Sequence, residues 1–305
     1  MGRIDSTRNK QLQADMMLVI LTFGWGVSYY MMDICLQEMD PLTLNAYRFL
    51  GAFIVAALLS FKKIINVNRQ TLKYALLVSI ALVGVYLGAT YGVKYTTQSN
   101  AGFFCATSTI FTPVMAYFFK KVIPEKKLIV VIIMCTIGIG LMSLDAHMKI
   151  AIGDLMCLGC GIMYAIDLLL TESAVAKEEV NAFQLGVFQL GFTGLWMLIL
   201  AVIFETPVLP QSGGCWMSVI FLTIFCTGVA FIVQPIAQQH TTATHVGIIF
   251  SLEPVFAGIV AFAFAGERLL LRAYIGMALM LVSLLMMELD LKGFGRRKNS
   301  CEDSQ

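Results

Sequence analysis

Long apolar stretches alternate with short polar segments along the whole chain. Each stretch is close to the roughly 20 residues that an α-helix needs to cross about 30 Å of hydrocarbon. The pattern therefore predicts an all-α membrane protein with ten transmembrane helices. The predicted spans are roughly 16–32, 43–61, 72–93, 100–119, 128–144, 153–170, 183–204, 216–236, 246–265 and 269–289.

Composition supports this class. Hydrophobic residues make up 58% of the chain and charged residues only 13%, whereas a soluble domain carries about 25% charged residues. The stretches are also unlike the short alternating strands of a membrane β-barrel. No polar segment combines a basic face with interleaved aromatic residues, so we expect the lipid bilayer as a partner and no nucleic acid.

Lys and Arg are concentrated in alternate polar segments, which predicts the orientation. If the N-terminus is cytoplasmic, basic segments such as 62–73 and 120–127 lie inside. The predicted outer segments hold only Lys94, Lys149, Arg268 and Arg272. We therefore predict a cytoplasmic N-terminal segment over 1–15 and a cytoplasmic tail over 290–305. The short loops suit the inner (cytoplasmic) cell membrane.

Two parts of the sequence are copies of each other. YTTQSNAGFFCATSTIFTPVMAYFF, residues 95–119, matches HTTATHVGIIFSLEPVFAGIVAFAF, residues 240–264. The copies belong to two predicted five-span repeats, 16–145 and 153–289. Because five is odd, the second repeat enters the membrane inverted, an arrangement typical of secondary transporters that bind substrate between the halves.

Three prolines within the spans are predicted helix breaks: Pro113, Pro235 and Pro254. Each proline removes the N–H that would bond the carbonyl four residues earlier. A freed carbonyl is costly in lipid, so we expect it to face protein or a cavity. The breaks would let helices bend during transport, and the alternative is a static kink that serves packing alone.

Glu253 is the clearest candidate for chemistry, because an ionised acid in mid-span costs about 2.5 to 3.5 kcal/mol. We expect it either to bind a substrate ammonium group or to couple transport to protons. The alternative is a carboxylic acid that caps the carbonyl freed by Pro254. Asp167 is the second coupling candidate, although its position near the cytoplasmic end suggests that it simply meets water.

Polar and aromatic side chains within the spans are the other candidates for a substrate cavity. Besides Glu253, we select Trp25, Tyr29, Tyr86, Asn100, Ser108, Thr112, Tyr164 and Gln234. Arg48 lies near the outer end of its span, and we interpret it as snorkelling to lipid headgroups. Gly84, Gly88 and Gly92 form a small-residue face that predicts close helix packing.

Several short motifs suggest a particular family. They are SNAGFF, SLEPVFAG followed by GERL, Trp25-Gly26, Pro41-Leu42 and Arg48-Phe49. With them, the chain resembles the EamA-type transporters of the drug/metabolite transporter superfamily over about residues 16–289. The resemblance implies two inverted five-helix repeats, a cavity lined by the first, third, fourth, sixth, eighth and ninth spans, and transport of small metabolites such as amino acids. Cys160-Gly161 replaces the Trp-Gly pair in the second copy, so Trp25 lacks a symmetric partner.

We therefore expect a secondary active transporter, an exporter, that works by alternating access on a small-molecule substrate. A channel or uncoupled facilitator is the alternative, and a membrane-embedded enzyme is much less favoured because no catalytic constellation is visible. We expect no cofactor and no metal. Cys157 and Cys160 form a C-x-x-C, which we interpret as packing, and a homodimer is compatible with the sequence.

Overall fold

The computed structural model describes residues 2–96, 98–121, 126–143, 151–264 and 271–289. In these ranges the regular structure is entirely helical. The all-α class is therefore confirmed for the described part of the chain. Side chains of some helical residues, among them Asn100, lie outside the description.

The helices follow the predicted apolar stretches. In chain order they are α1 (Gly2–Leu36), α2 (Pro41–Leu59), α3 (Phe61–Ile64), α4 (Arg69–Tyr95), α5 (Gln98–Ala106), α6 (Ser108–Lys120), α7 (Lys126–Ser143), α8 (Ile152–Val175), α9 (Ala182–Phe204), α10 (Gly213–Phe221), a π-helical segment (Leu222–Val229), α11 (Ala230–Gln238), α12 (Ala243–Phe250), α13 (Glu253–Phe264) and α14 (Leu271–Leu289).

Among the described residues, 7 helical spans are long and apolar enough to cross a membrane. They comprise α1 from Asn9 onward, α2, α4, α8, α9, the continuous run from α10 to α11, and α12 with α13. The other three predicted stretches correspond to α5 with α6, to α7 and to α14. The chain is therefore a multi-pass membrane protein.

Side-chain caps determine where several helices begin. Asn68, Asn181, Ser212 and Thr242 each accept a hydrogen bond from the backbone N–H three residues later. Such a cap satisfies one of the N–H groups that a helix leaves unpaired at its start. The caps lie at the starts of α4, α9, α10 and α12, so they also mark where the chain leaves its connecting segments.

The predicted glycine face of α4 packs against α8. A Cβ atom added at Gly88 would lie 2.5 Å from the Met156 carbonyl oxygen and 2.8 Å from the Cys160 nitrogen. Added Cβ atoms at Gly84 and Gly92 would likewise meet side chains of α8. The close approach is confirmed, and it joins a helix of the first repeat to one of the second.

Three spans contain interruptions. The helix changes between α5 and α6 at Thr107, whose N–H bonds the Phe104 carbonyl three residues earlier. A similar change separates α12 from α13, where the Leu252 N–H bonds the Ile249 carbonyl. The interruption in the span from α10 to α11 is the π-helical segment. This conformation is rare and is frequent at functional sites.

Polar contacts join the helices at one end of the bundle. The Glu205 carboxylate accepts hydrogen bonds from the backbone N–H groups of Leu42 at 3.0 Å and Thr43 at 2.8 Å. The Tyr91 hydroxyl donates to the same carboxylate at 3.1 Å. Because a helix N-terminus favours an anion, Glu205 ties the end of α9 to the start of α2 and to α4.

Glu38 makes another link at this end. Its carboxylate accepts hydrogen bonds from the N–H groups of Gln211 at 2.8 Å and Ser212 at 3.1 Å. Hydrogen bonds from Ser212 and Gln211 lower the pKa of Glu38 to about 2, because they stabilise the charged form. The contribution of these hydrogen bonds to the stability of the folded state is therefore fully present at pH values above the ordinary pKa of a glutamate. It is lost as the pH falls through about 2.

Other contacts join the opposite end. The Gln184 side chain donates to the Lys63 carbonyl at 2.8 Å, and His245 Nε2 lies 3.1 Å from Asp15 Oδ1. Asp15 and Leu36 are separated along α1 by about 30 Å, at roughly 1.5 Å per residue. Asp15, placed by the sequence in a polar N-terminal segment, is a buried residue of α1.

Candidate functional site

A small cavity of about 40 Å³ lies between the two repeats. Helices α1, α2, α4 and α5 contribute to its wall from the first repeat, and α8, α11 and α13 contribute from the second. Five of the predicted cavity residues line it: Trp25, Tyr29, Tyr86, Tyr164 and Glu253. The sequence thus identified residues that are far apart in the chain and share one cavity.

Trp25 lies at the centre of an aromatic cluster. Its ring centroid is 4.8 Å from that of Phe250, 5.7 Å from Phe231 and 5.9 Å from Tyr164. Its indole N–H donates to the Cys226 carbonyl at 2.9 Å, within the π-helical segment. One side chain of the first repeat is therefore packed and hydrogen-bonded into the second.

Glu253 is the first residue of α13, directly after the helix interruption. Its side chain is partly buried, lines the cavity and interacts with Tyr29 of α1. Pro254 follows it, in the first helical turn, where the missing proline N–H costs little. The interruption thus directs a carboxyl group toward the space between the repeats.

Asp167 is buried instead of meeting water, so that interpretation was wrong. Only 1% of its surface is exposed, and its Oδ2 accepts a hydrogen bond from Gln234 at 3.2 Å. The other oxygen, Oδ1, is buried without a hydrogen-bond partner among the described residues. Asp167 and Gln234 form a polar pair between α8 and α11 and are not among the residues that line the cavity.

Ser108 and Thr112 are buried but make local contacts. The Thr112 hydroxyl donates to the Ser108 carbonyl at 2.7 Å, and neither residue lines the cavity. The side chain of Asn100 lies outside the described residues. Thr109 of the same helix reaches the second repeat, where its hydroxyl donates to the Gly247 carbonyl at 2.8 Å.

The three prolines differ in their surroundings. Pro254 adjoins a helix interruption, whereas Pro113 lies inside α6 and Pro235 inside α11. The interruptions of those two spans lie earlier, at Thr107 and in the π-helical segment. The Phe231 carbonyl, which Pro235 deprives of its helical donor, accepts a hydrogen bond from the Gln189 side chain at 2.6 Å.

Arg48 is the charged cavity residue that the sequence interpretation missed. Its side chain is 1% exposed and lines the cavity, so the interpretation as a snorkelling residue was wrong. A signal was present in the sequence. Asn45, Arg48, Phe49 and Ala52 recur at helical spacing, and all four are buried on one face of α2.

Further unpredicted residues complete the wall. They are Ser28, Met32, Val85, Ala89, Cys105, Cys160 and Phe231. Cys105 of α5 also interacts with Cys157 and Cys160 of α8, so the C-x-x-C has a third thiol beside it. No group of three metal-binding side chains is assembled among the described residues.

A larger depression of about 580 Å³ lies elsewhere, around the segments before α4 and α9. Asn66, Asn68, Glu178 and Glu179 contribute to its polar wall. These segments lie at the end of the bundle, where water can reach them. The small cavity is the better candidate site because it places ionisable side chains of both repeats in a buried space.

The chain belongs to the EamA-like transporter family, whose profile matches residues 12–144 and 151–289. An uncharacterized transporter of Archaeoglobus fulgidus is 25% identical over 92% of this chain and 87% of its own length. The uncharacterized transporter YetK of Bacillus subtilis is 24% identical over 88% and 84%.

A solved crystal structure shares the fold. It covers 95% of this chain and 98% of its own chain, with a TM-score of 0.75 and 15% sequence identity. Such low identity shows the fold alone. The family match supports two EamA repeats and a membrane transporter.

Proposed function

We propose that this protein is a secondary active transporter, an exporter, of small metabolites such as amino acids. Ten membrane spans form two inverted five-helix repeats, with both termini in the cytoplasm and the protein in the cell membrane. The two repeats rock around the cavity and expose it to each side in turn. Glu253 is the first candidate for proton coupling and Asp167 the second.

The observation that carries this proposal is the cavity between the repeats. Trp25 and Arg48 of one repeat and Tyr164 and Glu253 of the other line the same buried space. Binding sites of secondary transporters typically lie between inverted repeats, beside interrupted helices. Glu253 follows such an interruption, which supports a site at this position.

The small volume of the cavity supports a binding site that changes its size as the repeats move. At about 40 Å³ the cavity accommodates water-sized molecules, whereas ligand pockets measure about 300 to 1,000 Å³. An amino acid therefore enters only after the repeats separate. The interruptions at Thr107 and before Glu253 provide places where α5 with α6 and α12 with α13 bend.

The test is uptake into proteoliposomes with a pooled panel of labelled amino acids and metabolites. Uptake is measured with and without an imposed pH gradient, for the wild type and Glu253→Gln. We expect a compound to accumulate when the gradient is imposed, and the variant to lose the acceleration while it keeps gradient-independent exchange. Glu178→Gln is the matched control, since Glu178 is exposed and far from the cavity in the polar depression.

Three results would contradict parts of the proposal. Equal gradient-driven uptake by the wild type and Glu253→Gln would remove Glu253 as the coupling residue, and Asp167→Asn would then be tested. No flux of any compound by folded protein would contradict transport itself. Flux that neither saturates nor accelerates when unlabelled compound is placed on the far side would instead favour a channel.

A further inference from the structure

Arg48 is a buried cation with unused hydrogen-bonding capacity. Its Nε donates to the Thr227 hydroxyl at 3.2 Å, and its guanidinium carbon lies 5.0 Å from the centre of the Tyr86 ring. Its Nη1 is buried with no hydrogen-bond partner in the described part of the chain. An unpartnered buried donor is costly, particularly on a charged group.

Among the described residues, no acidic side chain forms an ion pair with this guanidinium. None of the ion pairs in the described part of the chain includes Arg48 or Glu253. Both residues nevertheless line the cavity, one from α2 and the other from α13. Tyr164, whose buried hydroxyl has no hydrogen-bond partner among the described residues, lines the same cavity. The cavity wall therefore includes one fixed cation, a separate carboxyl group and a tyrosine.

We infer that Arg48 binds an anionic group of the transported molecule, with a carboxylate as the matching chemistry. A guanidinium fork binds a carboxylate through paired, charge-assisted hydrogen bonds. Trp25, Tyr86 and Phe231 then surround the apolar body of the molecule, and Glu253 faces an amine where one is present. The inference rests on the proposed transport function and restricts its substrates to molecules that carry an oxyanion.

The experiment uses matched sets of compounds that separate the two charges. One set is L-phenylalanine, 3-phenylpropanoate and phenethylamine, and a second is L-leucine, 4-methylpentanoate and isoamylamine. Binding to the purified full chain is measured by thermal stabilisation and then by calorimetry. In the wild type we expect binding of compounds that carry a carboxylate and none of the two amines.

Two substitutions test the role of Arg48. Arg48→Met removes the charge, and we expect carboxylate affinity to fall by about 10- to 100-fold, the range for lost charge-assisted hydrogen bonds. Arg48→Lys keeps the charge but loses the planar fork, so we expect a smaller loss. Arg48→Lys also tests the inference if Arg48→Met fails to fold. Arg69→Met is the matched control because Arg69 is exposed at the start of α4.

The inference is overturned if the amines bind as well as the acids, if both Arg48 variants bind carboxylates as the wild type does, or if no carboxylate stabilises folded wild type. Its failure differs from failure of transport. Flux of a compound without an anionic group would leave the transporter intact and reject Arg48 as its anion ligand. Carboxylate binding that depends on Arg48, without flux of any compound, would support Arg48 as an anion ligand and reject transport.

Discussion

At the scale of single residues, Arg48 and Glu253 place opposite charges at one cavity from opposite repeats. Each costs free energy to bury, and neither is neutralised by an ion pair within the described residues. Such cost is typical of side chains within membrane spans that serve binding or coupling. The remaining wall is formed by aromatic side chains, other apolar side chains, two cysteines and a serine, which suits a molecule with an apolar body and charged ends.

Trp25 gives a prediction at this scale. Trp25→Phe keeps most of the ring packing but leaves the Cys226 carbonyl without its 2.9 Å donor. We expect a loss of about 1 to 3 kcal/mol in the free energy of unfolding, the cost of an unpaired buried polar group, and slower transport. Reversible unfolding in mixed micelles measures the first effect and proteoliposome flux the second.

The other two tryptophans provide the controls. Trp196 is 40% exposed and Trp216 is 44% exposed, so Trp→Phe at either position should change stability and flux little. If Trp25→Phe behaves like these two substitutions, the hydrogen bond to the π-helical segment contributes little to the site.

The sequence indicates which residue types belong in a cavity better than it indicates which way each side chain points from its helix. Tyr29 is a candidate because it is four residues from Trp25 and shares its helix face, and Tyr164 is a candidate because its polar group is unusual for lipid contact. Both line the cavity. The assignment of Arg48 to the membrane surface was wrong because it used only the position of Arg48 near the end of its span. The face of α2 on which Arg48 lies is the better guide. Thr107 was missed as an interruption because neither proline nor glycine marks it.

At the scale of helices, the irregular backbone is supported by side chains from neighbouring spans. Gln189 of α9 donates to the Phe231 carbonyl at 2.6 Å, at the site where Pro235 removes the helical donor. Trp25 and Arg48 bond to the π-helical segment directly before it. The span from α10 to α11 is therefore held in its shape by α1, α2 and α9.

A double substitution tests this support. Gln189→Leu leaves the Phe231 carbonyl unpaired, and we expect it to lower the free energy of unfolding by about 1 to 3 kcal/mol. Pro235→Ala restores an N–H four residues after Phe231, so Gln189→Leu should cost much less in that background. Unfolding of the wild type, both single variants and the double variant measures the coupling energy directly. An equal cost in both backgrounds would contradict the role assigned to Gln189.

At the scale of the whole molecule, contacts at the two ends of the bundle correspond to each other. Glu38, between α1 and α2, bonds the start of α10. The Glu179 carbonyl, between α8 and α9, accepts a hydrogen bond from Asn68 at the start of α4. Each contact joins the segment after the first long helix of one repeat to the start of a helix of the other repeat, and the two contacts lie at opposite ends of the bundle. The proposed inversion of the repeats predicts this arrangement.

The repeats were predictable because duplication leaves matching motifs in the sequence. Their packing was partly predictable, since the glycine face of α4 indicated a close neighbour. The π-helical segment and the Glu205 link could not be predicted. Both depend on which helix lies beside which, and a single sequence does not specify that.

The most direct test of alternating access is the reaction of Cys160 with a membrane-impermeant thiol reagent added from either side. Cys160 lines the cavity and is kept as the sole native cysteine. One variant carries cysteines in place of both Thr43 and Glu205, at one end of the bundle. A second variant carries cysteines in place of both Asp15 and His245, at the other end. A short bifunctional reagent then locks one end at a time.

The account predicts that unlocked protein reacts from both sides. Each lock should abolish reaction from its own side alone, and either lock should stop flux. Reaction from one side under every condition, or flux that persists with either end locked, would contradict alternating access around this cavity.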